Sequence, residues 1–206
     1  MRMAAFWSAF FNLDYSVPDF QCFPSPLLGN INRNRKAGEG MNIFEVNGRL
    51  DKAKLAKAVL IPVVGGMVTG IIATRNAKKV YRNLKKPDFS PPSWVFPTVW
   101  TGLYTMMGIA NYRVSMKKKP TKTTNALYDV QLGLNFLWSF LFFRWGLRGT
   151  AFTEIATLLT TITLTTYKFY QRDKTAGGLM VPYIIWVAYA MKLNHSIWQL
   201  NKTEGA

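Results

Sequence analysis

The chain lacks most of what disulfide-rich domains, metalloproteins and hydrolases are built from. Its 206 residues hold one cysteine, Cys22, one histidine, His195, and 10 carboxylates. A lone cysteine forms no intrachain disulfide, and without further Cys, His or carboxylate at ligand spacing neither residue founds a zinc site, so no metal is expected. No nucleophile–base pair and no carboxylate dyad falls within the apolar stretches, which leaves ordinary acid–base catalysis without carriers there. Acidic charge is scarce and basic charge is not, with 26 Lys and Arg against 10 Asp and Glu and a net charge of +16. That surplus does not describe a nucleic-acid-binding face. The basic residues sit between long stretches nearly free of charge, whereas phosphate recognition needs a continuous basic surface.

What is plentiful is apolar and aromatic. Aromatic residues make up 15% of the chain and include seven Trp, as suits a protein whose amphipathic rings collect where hydrocarbon meets headgroup. Five apolar segments approach the length of about 20 residues that a helix needs to span a bilayer. They run from Ala56 to Thr74, Pro92 to Met116, Leu127 to Phe143, Ala151 to Tyr167 and Gly178 to Leu200. Short basic connections join them, so successive spans alternate in direction. The expected fold is an all-α integral membrane bundle of five transmembrane helices over residues 47–206, in contact with the lipid bilayer. Basic residues flank both sides alike, so the positive-inside rule gives no orientation.

Residues 1–46 differ in texture. Pro18, Pro24 and Pro26, an Asn/Arg tract from Asn30 to Lys36 and the Gly38-Glu39-Gly40 break predict a disordered N-terminal extension. Ala4 to Phe11 is apolar but too short for a signal peptide. Met41 offers an alternative start, followed by an amphipathic lead from Val46 to Lys57 into the first span.

Helical spacing sorts the spans into faces. Gly66 and Gly70 form a small-xxx-small pair that permits close helix contact, within the chain or between two copies; two merely permissive glycines are the alternative. Trp100, Tyr104, Met107, Gly108 and Asn111 share a stripe of the second span, and Gln131, Asn135, Trp138 and Phe142 one of the third. Amides in a membrane face the bundle, either as packing glue or as the lining of a cavity, and spacing leaves both open. The fourth span is rich in Thr, whose hydroxyls bond back to helix carbonyls, a structural role. In the fifth, Trp186, Ala190, Leu193, Asn194 and Ile197 line one side, with small Ala190 beside large Trp186 leaving room for a ligand. Lys192, a candidate functional cation by position, is expected to snorkel to the headgroups.

One motif is far more specific than these patterns. Leu84-Lys-Lys86-Pro87-Asp-Phe89-Ser-Pro91-Pro92-Ser-Trp94 leads into Trp100, Leu103-Tyr104 and Met107-Gly108. Further on come Leu127-Tyr128, Gln131-Leu132, Leu134-Asn135, Trp138, Phe142-Phe143, then Pro182-Tyr183, Trp186, Leu193-Asn194 and Trp198. Together these resemble the translocator protein (TspO/MBR, peripheral-type benzodiazepine receptor) family from about Pro62 to Asn201. The resemblance implies a five-helix bundle, often dimeric, with a ligand pocket inside one protomer beneath the first loop. It implies porphyrin (protoporphyrin or haem) as ligand, no required cofactor, benzodiazepine-type drug binding, and, as in animal members, cholesterol binding and the mitochondrial outer membrane. Carried over by position, Trp100, Asn135, Trp138, Tyr183, Trp186, Ala190, Leu193 and Asn194 line the pocket, while Gly70 and Phe96 approach it. Indoles supply flat faces for a tetrapyrrole and Asn194 fixes a polar edge. A homodimer through the helix bearing Gly66 and Gly70 belongs to the same expectation.

The chain also departs from the family pattern. Pro97-Thr98 replaces a Gly-Pro pair, Phe89 stands for a loop Trp, and Ser139-Phe140 for a double proline. Thr150, Thr153 and Thr157 occupy positions that are larger or more apolar in drug-binding animal members, so drug affinity is expected to be lower. Animal members place Tyr-Tyr-x-Trp-Arg in the sterol segment, where this chain has His195-Ser-Ile-Trp198-Gln199, so sterol binding is expected to be weakened or moved. Val187, Tyr189 and Lys192 fit the loose sterol pattern one turn earlier. The leading expectation is a receptor or carrier for porphyrins, and secondarily sterols, linked to tetrapyrrole or lipid handling. An enzyme degrading porphyrin oxidatively through Trp100 and Trp186 is the alternative, and a membrane scaffold or interaction protein a third.

Overall fold

The computed structural model describes residues 43–75, 84–117 and 121–202. They form α1 (Lys52–Ala73), α2 (Val95–Lys117), α3 (Lys122–Ser139) running on into a π turn (Phe140–Arg144), α4 (Arg148–Arg172) and α5 (Lys174–Leu200). The expected five-helix, all-α architecture is the one found. The expected extension through residue 42, with Cys22 and Met41, lies outside the described residues, as do residues 76–83, just before the proline-rich motif. Residues 43–46, which the sequence reading groups with that extension, are instead tied to the bundle. Val46 is buried, and Arg113 Nη1 donates to the carbonyls of Ile43 (2.6 Å) and Glu45 (3.3 Å). The lead begins as a tight turn with Val46 bridged to Arg49 and becomes helical from Lys52.

Several helices begin earlier than their apolar runs because side chains cap them. Asp51 accepts from the Lys54 amide, Thr121 from that of Thr124 and Asp173 from that of Ala176. Each satisfies a backbone donor that the first helical turn leaves free. Asp173 does more, since its other oxygen meets Arg113 Nη2 at 3.1 Å and Lys117 Nζ at 3.4 Å, joining the end of α2 to the start of α5.

Around the bundle the helices follow the order α1, α2, α5, α4, α3, with α3 closing on α1. Sequential α2 and α3 therefore do not pack backbone to backbone. They meet through side chains, Tyr104 donating to Asn135 and Gln131 Nε2 reaching Met107 Sδ at 3.4 Å. Helices α1 and α2 approach closely at Gly108, where a Cβ would stand 2.6 Å from Val59 Cα, so only glycine lets them come this near.

Helices α1, α3 with its π turn, and α5 are long and apolar enough to cross a membrane. In α1 only Pro62 and Ala73 are buried, and Leu60, Ile61, Val64, Met67, Val68, Ile71 and Ile72 all point outward. Hydrocarbon, not water, solvates such a surface. Helices α2 and α4, at 23 and 25 residues, have spanning length as well. In α4 the hydroxyls of Thr153, Thr157, Thr160, Thr161, Thr163, Thr165 and Thr166 each donate to the carbonyl four residues back. The Thr run is thus structural, as its chemistry predicts.

Candidate ligand-binding site

Two layers of polar and aromatic side chains fill the bundle near its loop end. In the deeper layer Asn135 on α3 joins three helices. It accepts from the Tyr104 hydroxyl on α2, and its Nδ2 donates to the Tyr183 oxygen on α5 at 2.8 Å. Trp100 stacks on Tyr104 with centroids 5.5 Å apart and meets Tyr183 edge-on at 6.2 Å. Trp100, Asn135 and Tyr183 are therefore engaged with one another.

The upper layer surrounds a cavity of about 10 Å³, room for about one water. Phe96, Trp138, Phe142, Phe143, Ala190, Leu193, Asn194 and Ile197 line it. Trp138 Nε1 donates to Asn194 Oδ1 at 3.2 Å, and Asn194 Nδ2 donates to the Arg148 carbonyl at 2.9 Å. The amide thus fixes the indole, while its oxygen keeps lone-pair capacity for a further donor. Trp138 also stacks on Phe142 at 5.1 Å and 22°.

Of the sequence-marked residues, Phe96, Trp138, Ala190, Leu193 and Asn194 are brought together at the cavity. Trp186 lies one turn below Ala190, edge-on to Phe96 at 6.1 Å, and its buried indole N–H has no hydrogen-bond acceptor. Gly70 stands apart, with open space where its Cβ would be. Gly66, by contrast, lies directly under the Tyr104 ring, so this half of the glycine pair serves contact inside the protomer.

Phe142, Phe143 and Ile197 belong to the lining although the pocket residues implied by the family resemblance do not include them. Helical spacing carries the signal for two of them, since Phe142 follows Trp138 by four residues and Ile197 follows Leu193 by four. Glu154 on α4 was also passed over. It is 9% exposed with neither carboxyl oxygen hydrogen-bonded, and nothing in the Thr-rich pattern around it announces that burial.

A loop strap covers this end. Asn201, just beyond α5, accepts from the Lys85 amide at 3.1 Å and donates to the Lys85 carbonyl at 3.0 Å. The Tyr189 hydroxyl donates to the Phe89 carbonyl at 2.8 Å, and Lys192 Nζ sits 5.0 Å over the Phe89 ring. Lys192, exposed at this end, thus touches the loop through a cation–π contact.

Apolar helices with hydrophobic side chains outward, the amides of Asn135 and Asn194 paired between helices, and a small aromatic cavity near a strapped loop define an integral membrane helix bundle with a candidate ligand site. The chain belongs to the TspO/MBR family, whose model matches residues 58–199. It is 39% identical over 121 residues to a tryptophan-rich sensory protein of Cereibacter sphaeroides, covering 59% of this chain and 76% of that one. Tryptophan-rich protein TspO of Chlorobaculum tepidum is 36% identical over 150 residues, 71% of this chain and 95% of its own. The human translocator protein is 33% identical over 147 residues, covering 69% and 86% respectively.

Proposed function

We propose that the chain is a membrane receptor or carrier that takes up porphyrin-class ligands, flat and largely apolar with a few polar edge groups, in the cavity beside Trp138 and Asn194. The observation that carries this reading is the cavity wall itself, with stacked Trp138 and Phe142 rings and one amide oxygen able to accept from a ligand N–H. Trp186, with its unpaired N–H beside the cavity, would donate to a ligand carboxylate or carbonyl. At about 10 Å³ the cavity is closed to any such molecule as it stands, so binding requires the lining rings to part.

Sterol binding is the weaker part of the proposal. Tyr189 and Lys192, the polar members of the loose sterol pattern, both hold Phe89 of the loop. Placement in the mitochondrial outer membrane, and a homodimer through the outward face of α1, belong to the same proposal.

The test is a titration of the purified chain in detergent with protoporphyrin in the dark, read by Trp fluorescence. Saturable quenching is expected, with affinity falling about five- to tenfold in Asn194→Ala, the loss of roughly one hydrogen bond and the anchor of Trp138. Non-saturable quenching that neither Asn194→Ala nor Trp186→Phe alters would remove the porphyrin assignment and favour a scaffold. Illumination of the saturated complex then tests turnover: an enzyme degrades the pigment and stops doing so in Trp186→Phe, while a carrier leaves it intact.

A further inference from the structure

Almost all of the cavity wall sits on regular helix. Ala190, Leu193, Asn194 and Ile197 belong to the 27-residue α5, Phe96 to α2 and Trp138 to α3. Trp138 is pinned as well, through Asn194 to the Arg148 carbonyl. Phe142 and Phe143 are different, since both are carried by the π turn Phe140–Arg144. There the Trp145 amide bonds to the Phe140 carbonyl at 2.9 Å, one residue further than an α-helix allows. The extra residue crowds three rings together. Phe142 and Phe143 meet edge-on at 4.9 Å, Phe142 stacks on Trp138 at 5.1 Å, and Phe143 stands edge-on to Trp138 at 5.9 Å. These rings occupy the space that a ligand would need.

Backbone bonds close the turn, from the Trp145 amide to the Phe140 carbonyl and from the Leu147 amide to the Leu141 carbonyl at 2.9 Å each, but its side-chain tie to α1 is weak. Arg144 Nη1 reaches the Ile72 carbonyl at only 3.5 Å, the outer limit of a hydrogen bond. Gly146, at φ 67°, follows immediately and adopts a conformation that other residues resist. Rewinding the π turn to α geometry would pass one residue into this glycine corner and rotate the ring-bearing positions by a fraction of the 100° that separates successive helical residues.

We infer that Phe142 and Phe143 are the specificity-determining wall of the cavity: the π turn rewinds to admit a guest, and what it admits is a flat ring that takes the place of the Trp138–Phe142 stack. This rests on the ligand-binding reading above and adds which residues move and which shape they select. A planar guest needs about two van der Waals spacings between the rings, roughly 7 Å, a modest opening from the present stack. A sterol, with methyl groups projecting from its face, needs more.

The measurement uses the full chain in detergent with Cys22→Ala and Ala190→Cys, so that a small methanethiosulfonate reagent reports access to the cavity without any ligand. Labelling of the introduced thiol is expected to rise at least tenfold in Phe142→Ala and in Phe143→Leu, the second variant keeping the test alive if the first fails to fold. Without the thiol, protoporphyrin is expected to associate faster in both variants, and a fluorescent sterol to gain more affinity than protoporphyrin does. Unchanged labelling overturns the moving wall whatever porphyrin does. Faster labelling with no saturable porphyrin binding in the parent protein keeps the wall and overturns the porphyrin reading instead. A sterol that binds the parent chain as well as protoporphyrin does would overturn the shape selection.

Discussion

At Asp173, burial and pairing pull in opposite directions. Burial pushes the carboxyl up, but the Ala176 amide, the Arg113 guanidinium and the Lys117 ammonium together outweigh it and hold the group below its ordinary 3.8. A group depressed in the folded state adds stability above its unfolded value and loses it as pH falls through the folded one, because the unfolded chain then takes up the proton first. Asp173→Asn is therefore expected to lower stability by about 3 kcal/mol at neutral pH, the scale for breaking a buried pair. The gap to the parent chain should close as pH drops below about 4. Thermal unfolding in detergent across that range checks it, and a gap independent of pH would refute the ionic account. Lys117, partly exposed, contributes less than Arg113.

The glycines separate in the same way, by what surrounds each one. Gly108→Ala would set a methyl 2.6 Å from Val59 Cα and 2.7 Å from the Ala58 carbonyl oxygen, both backbone atoms that cannot step aside. Gly66→Ala meets the Tyr104 ring, which Asn135 holds in place. Gly70→Ala meets nothing within 4 Å. The expected order of stability is Gly70→Ala at or slightly above the parent, Gly66→Ala below it by about 1–3 kcal/mol, and Gly108→Ala lowest. Equal losses at Gly66 and Gly70 would restore the symmetrical small-xxx-small reading.

Among the elements, the strap over the loop end separates function from bundle stability. Asn201 holds both polar groups of Lys85 and the Ile197 carbonyl. In Asn201→Ala, amide exchange over residues 84–94 should quicken about tenfold, one net hydrogen bond's worth, while α2 to α5 keep their protection. Mass-resolved exchange distinguishes this from a loss spread over the whole bundle. Helix centres were legible in the sequence because apolar runs have one solution in hydrocarbon. Helix starts were less so, since Asp51, Thr121 and Asp173 extend the helices into polar sequence by capping. The π turn was not legible at all. Phe140-Leu-Phe-Phe-Arg144 reads equally well as α-helix, and the Gly146 corner that follows it carries no signal of a changed hydrogen-bond register.

For the whole molecule, charge placement and the proline-rich motif were enough to indicate a five-helix membrane bundle. They were not enough to divide the aromatic stripes into layers. Trp100, Asn135 and Tyr183 share helical faces with cavity residues but close on one another a layer deeper, and a periodicity of 3.6 carries no depth. The second- and third-span amides that the spacing left open, Gln131 and Asn135, bond between helices and lie outside the cavity lining. Asn135 and Asn194 are each bonded on both amide atoms, and what separates them is place: Asn135 ties three helices together, whereas Asn194 borders the cavity.

The order of helices around the bundle has a consequence in time. Synthesis delivers α5 after the other four described helices, yet α5 lies between α2 and α4 and supplies Tyr183 to Asn135 and Asn194 to Trp138, while Asp173 just before it answers Arg113. Until α5 emerges, α2 borders an unfilled slot and a guanidinium waits without its counter-charge. A chain shortened by one helix is thus an assembly with its polar groups exposed to lipid, the kind of intermediate that membrane quality control removes.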